Sequence, residues 1–458
     1  MSKPTAIAHP HLLLVTTILA SSLAFIDGSV VNVGLPALGR AFGTSSGGLP
    51  WVLNAYALPL SALLLIGGAA GDVFGVRRLL IAGLSLFAVA SAGCAASPTI
   101  EVLIACRAVQ GIAAALLMPN SLAILGVYFA GEARGRAIGI WAAAGAATTA
   151  VGPVLGGYLI DLTGWRAIFL INLPIVVVAI TLALRAVPQD TRAGSRRLDW
   201  VGALLVAASL TALTWGLTAI SSAHPFDAAV AVALLVGVLG LASFIRFEQA
   251  KGERAMLPLS LFRSRHFVAL TVLTLLLYGA LSALMMLIPF VLIENKQYSA
   301  TAAGAVLLPL PIAIAVGSSW IGRVAERLGP RLPLTVGSLL AGVGCALALR
   351  VPALGNYWIT AFPAILVLSI GMAAAVAPLT TAVLNSVEDE HNGVASGFNS
   401  ATARIGGLVA VAFSSTVLAA HGSTLSTSFR VAVVVAAGAA ALAALSAFVG
   451  LRAAPSKP

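Results

Sequence analysis

The strongest constraint on this chain is a succession of apolar runs, each long enough to cross about 30 Å of hydrocarbon as a helix. Fourteen of them fall roughly at 12–34, 51–70, 79–97, 102–127, 137–159, 167–187, 200–220, 228–247, 267–292, 302–322, 332–350, 357–384, 394–419 and 431–451. In lipid the backbone must satisfy its own hydrogen bonds, so such runs fold as helices. With 60% hydrophobic and 9% charged residues, 458 residues carry too little charge to cover a water-soluble globule. The composition therefore predicts an all-α polytopic membrane protein.

The formal net charge of +11 would fit a nucleic-acid partner if it formed a basic face. It does not, because the charges sit in short loops between apolar runs, and no nucleic-acid binding is expected. An even number of spans puts both termini on one side. If that side is the cytoplasm, the outer segments hold only Arg40, Arg166, Lys296, Arg350 and Arg430 of the 26 lysines and arginines. This bias follows the positive-inside rule and predicts cytoplasmic termini. Ser22–Leu23–Ala24 faintly imitates a signal-peptidase site, but the run continues through Asp27, so an uncleaved first helix is expected. Cys94, Cys106 and Cys345 lie in apolar spans and read as buried thiols. The histidines are scattered, so neither metal nor cofactor is expected.

Internal repeats divide the chain. Gly68-x3-Asp72-x2-Gly75-x-Arg77 follows the second run, and Gly322-x3-Glu326-x2-Gly329-x-Arg331 follows the tenth with identical spacing. Gly135-x3-Gly139 opens the fifth run and Gly393-x3-Gly397 the thirteenth; Pro119 and Pro378 also correspond. The expected organisation is a six-helix bundle over 1–187, a two-helix insertion over 188–250 and a second six-helix bundle over 251–458. Parallel repeats that face one another around a midplane site are a transporter plan.

Charge inside the runs marks the candidate site. Asp27 interrupts the first run, Arg107 the fourth and Arg404 the thirteenth. An ionisable side chain at membrane depth is costly and reads as functional. At about 1.5 Å per residue, Asp27 and Arg107 lie roughly 10 Å and 8 Å below the same surface, so they are natural partners if their helices touch. Gln110, at i+3 from Arg107, extends that network. Two readings stay open: a fixed ion pair that locks two helices, or a carboxylate that exchanges its partner for a proton. Burial favours the protonated carboxyl and a nearby guanidinium the ionised one, so varying their distance makes a proton carrier.

Arg404 has no acid in the later runs to answer it. Backbone carbonyls are its expected partners, with water or an anionic substrate group as alternatives. Asn32, Asn54 and Tyr56 join the expected cavity from the first two runs. Tyr278, Met285 and Phe290 suit a tolerant apolar wall, although packed or lipid-facing positions serve them equally. The loop residues Gly68, Asp72, Gly75, Arg77, Arg78, Glu326 and Arg331 read as a tight polar turn or as a gating latch. Gly139, Gly152, Pro153, Gly156 and Gly157 give the fifth helix a smooth, bent face for close helix contact.

These motifs resemble the major facilitator superfamily, and within it the fourteen-span drug:proton antiporter family, over essentially the whole chain. Asp27–Pro36 (DGSVVNVGLP) is similar to that family's first-span signature, with Ser29 for threonine and Gly34 for alanine. Gly68–Arg78 resembles the superfamily loop motif, but Val73 and Val76 replace its usual basic residues. Arg107-x2-Gln110-Gly111 resembles the fourth-span motif, whose arginine the family links to proton coupling. Gly139-x8-Thr148-x3-Gly152-Pro153-x2-Gly156-Gly157 resembles the antiporter motif, with Thr148 where glycine is usual. Trp165-Arg166-x2-Phe169-x-Ile171-Asn172-x-Pro174 and Asp199-Trp200-x-Gly202 look like further signatures.

The resemblance implies a major-facilitator-like fold of 14 transmembrane helices, as two six-helix parallel-repeat bundles plus two inserted helices. It also implies export of amphipathic or lipophilic small molecules from a bacterial-type inner membrane, driven by protons, with the chain acting as a monomer. A symporter or exchanger for a specific metabolite, sugar or lipid is the alternative. An ATP-driven pump is disfavoured because none of Lys3, Lys251, Lys296 and Lys457 follows a glycine, so no phosphate-binding loop exists. A membrane hydrolase would need a pattern such as H-E-x-x-H, which is absent, and no loop is long enough for a sensor's soluble output domain.

Overall fold

The computed structural model describes residues 10–43, 48–129, 131–189, 200–221, 228–252, 259–352, 356–387, 392–414, 417 and 422–451. The helices are α1 (Pro10–Phe42), α2 (Leu49–Phe74), α3 (Val76–Ala96), α4 (Ile100–Tyr128), α5 (Gly131–Thr163), α6 (Asn172–Ala186) and α7 (Trp200–Ser221). They continue as α8 (Ala228–Lys251), α9 (Arg265–Lys296), α10 (Pro309–Leu328), α11 (Arg331–Leu347), α12 (Phe362–Leu384), α13 (Asn392–Phe413) and α14 (Gly422–Gly450). Single helical turns, Ala167–Leu170, Ala300–Ala305 and Tyr357–Thr360, lead into α6, α10 and α12. No strand occurs among the described residues.

Ten stretches among the described residues are long and apolar enough to cross a membrane; α2 and α7 add the shorter apolar pieces Leu49–Leu64 and Leu204–Leu217. Large side chains such as Val316, Val89 and Leu204 are about two-thirds exposed or more. An apolar coat of this extent belongs in lipid rather than water.

Helices α1–α6 pack as the pairs α1–α5, α2–α4, α3–α4, α1–α6, α3–α6 and α1–α4. The corresponding pairs α9–α13, α10–α12, α11–α12, α9–α14, α11–α14 and α9–α12 are all present. The repeated loop accounts for part of this likeness. Gly75 (φ 96°) is the one residue between α2 and α3, and Gly329 (φ 75°) follows the last residue of α10. A side chain at either φ would be strained, which is why glycine recurs at this spacing. Arg77 donates to the Leu184 carbonyl at the end of α6 at 2.8 Å, and Arg331 stacks on Phe448 near the end of α14, 4.2 Å from its ring centre. Both ties stay within one group of six helices rather than crossing between the groups. Arg78 is exposed, Gly68 meets Pro119, and the side chains of Asp72 and Glu326 lie outside the described part, as does Asp199.

The two groups meet where α1 touches α9, α5 touches α10 and the Ala300–Ala305 turn, and α2 touches α13. Helices α7 and α8 pack on each other, and α7 also rests on α2 and α13. At one end, Arg40 pairs with Glu294 at 3.0 Å across the groups. Beside it, Asp161 accepts from Ala300 N (3.2 Å), Thr301 N (2.9 Å) and Thr301 Oγ1 (2.6 Å). Asp161 stands beyond the apolar run of α5. Partial burial pushes its carboxyl upward, but these hydrogen bonds outweigh that and hold it below the ordinary carboxylate range.

The hydrogen-bonded contact is thus present above the ordinary carboxylate range and weakens as pH falls through the lowered value. Asp161→Asn should lengthen the distance between spin labels at exposed Leu162 and Gln297. Acidifying the unsubstituted chain below the ordinary carboxylate range, until Asp161 takes a proton, should lengthen it as well; an unchanged distance in both experiments would show that these hydrogen bonds do not hold this end closed.

Several boundaries differ from the sequence expectation. Helix α1 runs on through Pro36 to Phe42, because a proline late in a helix forfeits one hydrogen bond that apolar packing here outweighs. Asp27 therefore stands fifteen residues from the helix end, about 22 Å along its axis rather than 10 Å.

Candidate polar site inside the bundle

The site is assembled from five helices. Helix α1 supplies Asp27, α4 supplies Arg107 and Gln110, and α3 supplies Ser91 and Cys94. Asn172 opens α6, and α2 offers Tyr56 and the Val52 carbonyl. Asp27, Arg107, Gln110, Asn172 and Ser91 are all fully buried.

Arg107 Nη1 pairs with Asp27 Oδ2. The same nitrogen donates to Gln110 Oε1 at 2.9 Å, and Arg107 Nε donates to the Val52 carbonyl at 3.0 Å. The guanidinium lies 4.3 Å from the Tyr56 ring centre, and the Tyr56 hydroxyl donates to the Ala24 carbonyl at 2.9 Å. Asp27 Oδ1 receives Gln110 Nε2 at 3.2 Å and Asn172 Nδ2 at 3.3 Å. Ser91 Oγ accepts from Gln110 Nε2 (2.8 Å) and Asn172 Nδ2 (3.3 Å), and Cys94 Sγ donates to Gln110 Oε1 at 3.2 Å.

Each group of this network has the partner that burial demands, save Asn172 Oδ1, which has no hydrogen bond. Three donors converge on one carboxylate in a place closed to solvent.

The structure thus brings Asp27, Arg107, Gln110 and Tyr56 together. It places Asn54 nearby on α2, buried, with neither amide atom hydrogen-bonded. Asn32 is half-buried. Tyr278 and Met285 are half-buried and pack against the main apolar cluster, while Phe290 lies inside that cluster at 5% exposure, so packing accounts for its contacts. Arg404 departs from the carbonyl pairing expected of it: Nη2 instead meets the Met118 sulfur at 3.1 Å. Rather than turning back onto its own helix, the side chain reaches from α13 to α4.

The glycines of α5 serve two different neighbours. A Cβ at Gly152 or Gly156 would collide with Ser29 Oγ or Val30 Cγ2 of α1. Gly157 and Pro153 instead meet the backbones of Ala300 and Gly304 across the groups. Gly139, expected in the same close contact, is exposed with nothing within 4 Å of a Cβ: it lies on the outward face of a turn whose Ala137 is buried in the core.

Ser91, Cys94 and Asn172 were missed as site residues by sequence reasoning. The Trp165–Pro174 motif singled out Asn172 without giving it a role; Ser91 and Cys94 carry no signal apart from being small residues in an apolar run.

Comparison with known proteins identifies the family and the fold. The family model of the Major Facilitator Superfamily matches residues 17–411 and 270–458. The methylenomycin A resistance protein of Bacillus subtilis is 33% identical over 410 residues, covering 88% of this chain and 87% of the relative. The puromycin resistance protein pur8 of Streptomyces alboniger is 33% identical over 430 residues (90% and 84%). The multidrug resistance protein Stp of Mycobacterium tuberculosis is 30% identical over 419 residues (89% and 76%).

Among solved structures, the peptide transporter POT in complex with sulfate superposes with a TM-score of 0.71 at 13% identity, over 95% of this chain and 94% of that one. An inward-facing bacterial homolog of the human lysosomal transporter Spinster gives 0.69 at 17% identity (97% and 98%). Likeness at such identities speaks for the fold alone. The family match and the relatives at 30–33% identity decide the class: the chain belongs to the Major Facilitator Superfamily and is a multi-pass membrane transporter, not an enzyme.

Proposed function

We propose that this transporter exports amphipathic or lipophilic small molecules in exchange for protons, by alternating access, from the bacterial cytoplasmic membrane. The observation that carries the reading is the sealed Asp27–Arg107 pair, a carboxylate within membrane thickness held by donors from two other helices. The resistance and multidrug names of the relatives support export.

In this reading all fourteen helices cross the bilayer with both termini in the cytoplasm. Residues 1–187 and 251–458 form the two bundles, 188–250 is an inserted pair, and the chain works as a monomer. The end closed by Asp161 and Arg40–Glu294 then faces outward, so this conformation opens inward. In the opposite conformation Asp27 takes a proton from outside, its grip on Arg107 loosens, and substrate leaves. The return to the inward state delivers the proton to the cytoplasm.

Inverted vesicles holding an acid-interior pH gradient test this directly. An exported substrate should enter the vesicles and dissipate the gradient, restoring the fluorescence of a pH-sensitive dye. A substrate that leaves the vesicle together with protons would establish a symporter instead.

A further inference from the structure

We infer that this transporter selects amphipathic anions, with Arg404 as the residue that receives the anionic group; this rests on reading the space between the two bundles as the substrate path. Arg404 stands twelve residues into α13, about 18 Å along it, deep within the bilayer thickness. A guanidinium at that depth carries five N–H donors and a full charge, and its protein contact here is one thioether, a weak acceptor. The ion pairs among the described residues are Arg40–Glu294 and Arg107–Asp27. The one acid within the apolar runs of α1–α6 is thereby taken by Arg107, and the runs of α9–α14 contain none.

The apolar runs of these twelve helices consequently hold two guanidinium groups against one carboxylate; the other buried acid among the described residues, Glu248, stands on α8 just past its apolar run. Ile405 and Leu408, beside Arg404, pack against Ala57 and Leu58 of α2 and Val206 and Leu210 of α7. The charge is therefore set in an apolar wall, and α7 of the inserted pair contributes to it. Arg404 remains half-buried rather than sealed, and its neighbours pack on Ala57 and Leu58, which follow Tyr56 of the Asp27 cluster on α2. A carboxylate, sulfonate or phenolate on an apolar body matches this arrangement. The planar fork of arginine takes two oxygens of a carboxylate at once.

The test uses the full chain in lipid nanodiscs, with 2-naphthoate, 2-naphthamide and 2-naphthylmethylammonium as matched probes. The unsubstituted protein should bind 2-naphthoate at least about tenfold more tightly than the amide or the ammonium, the usual scale for a charged hydrogen-bonded pair. Arg404→Gln should erase that preference. Met118→Leu should retain it. Naphthalene-2-sulfonate provides a check that needs no variant: it stays ionised from pH 4 to pH 8 and should outbind 2-naphthamide throughout, while 2-naphthoate loses its advantage as it becomes protonated.

Equal binding of the three naphthalene probes, no binding of either anion, or full preference in a folded Arg404→Gln protein would overturn the inference. A lipophilic cation that draws protons through vesicles while 2-naphthoate fails to bind would leave proton-driven export intact and remove the anion site. Anion binding lost in Arg404→Gln, with no compound drawing protons, would do the reverse.

Discussion

Asp27→Asn is expected to abolish substrate-driven proton movement while leaving substrate binding in place. The asparagine amide matches the carboxylate in shape but neither takes nor yields a proton. It also leaves Arg107 buried without an anion, a defect that costs about 3–5 kcal/mol when one partner of such a pair is removed. Loss of transport alone would therefore not separate a proton carrier from a structural brace. The double variant Asp27→Asn, Arg107→Gln makes the separation, because it removes both charges and should recover most of the thermal stability lost by Asp27→Asn. If transport still fails in the stable double variant while binding persists, the pair couples protons. Full proton-coupled transport by Asp27→Asn would take Asp27 out of the cycle.

Gly157→Val carries the second large effect. A Cβ at residue 157 would lie 2.3 Å from the Ala300 carbonyl oxygen and 2.5 Å from Thr301 N, both backbone atoms of the other group. Neither can swing aside as a side-chain tip would, so this contact can form only if the backbones separate. About 5.5 kcal/mol swings a two-state balance from 1:99 to 99:1, and a backbone overlap of two valine methyls against one state is of that order.

The substitution should hold the Asp161 end open and cut transport at least about 100-fold, with the protein still folded, since Gly157 meets the other bundle and not the interior of its own. A cysteine at exposed Gly28, in a Cys106→Ala background, reads the state. In Gly157→Val an impermeant thiol reagent should reach Gly28→Cys from the outer face. Labelling confined to the cytoplasmic face, with normal transport, would show that this contact does not govern closure. Gly156→Val is the contrasting case, because it collides with Val30 of α1 inside the first bundle and should lower stability instead.

Some of the site was legible in the chain because lipid narrows the options. A charge within an apolar run needs an answering charge, so Asp27 and Arg107 could be paired before their helices were known to touch. Their expected depths were less secure, because α1 continues eight residues past Gly34, and only contact between α1 and α4 brings the pair together. Ser91, Cys94 and Asn172 were not legible in the same way. Small polar residues inside helices satisfy themselves locally or across helices with equal ease, and sequence spacing records only the first possibility. The glycine stripe of α5 shows the same limit. Residues 152 and 156 share one face and 153 and 157 the next, but which face meets α1 and which meets the Ala300 turn depends on how the helices are arranged around α5.

From the sequence alone came the helical class, the repeated motifs and the charges that matter, since hydrocarbon penalises unpaired backbone and unpaired charge wherever they occur along a chain. The tertiary arrangement decided who answers whom: Asn172 with Asp27, Met118 with Arg404, Asp161 with the turn at Ala300. Those pairings depend on the rotation and crossing of helices far apart in sequence, and no single run contains that information.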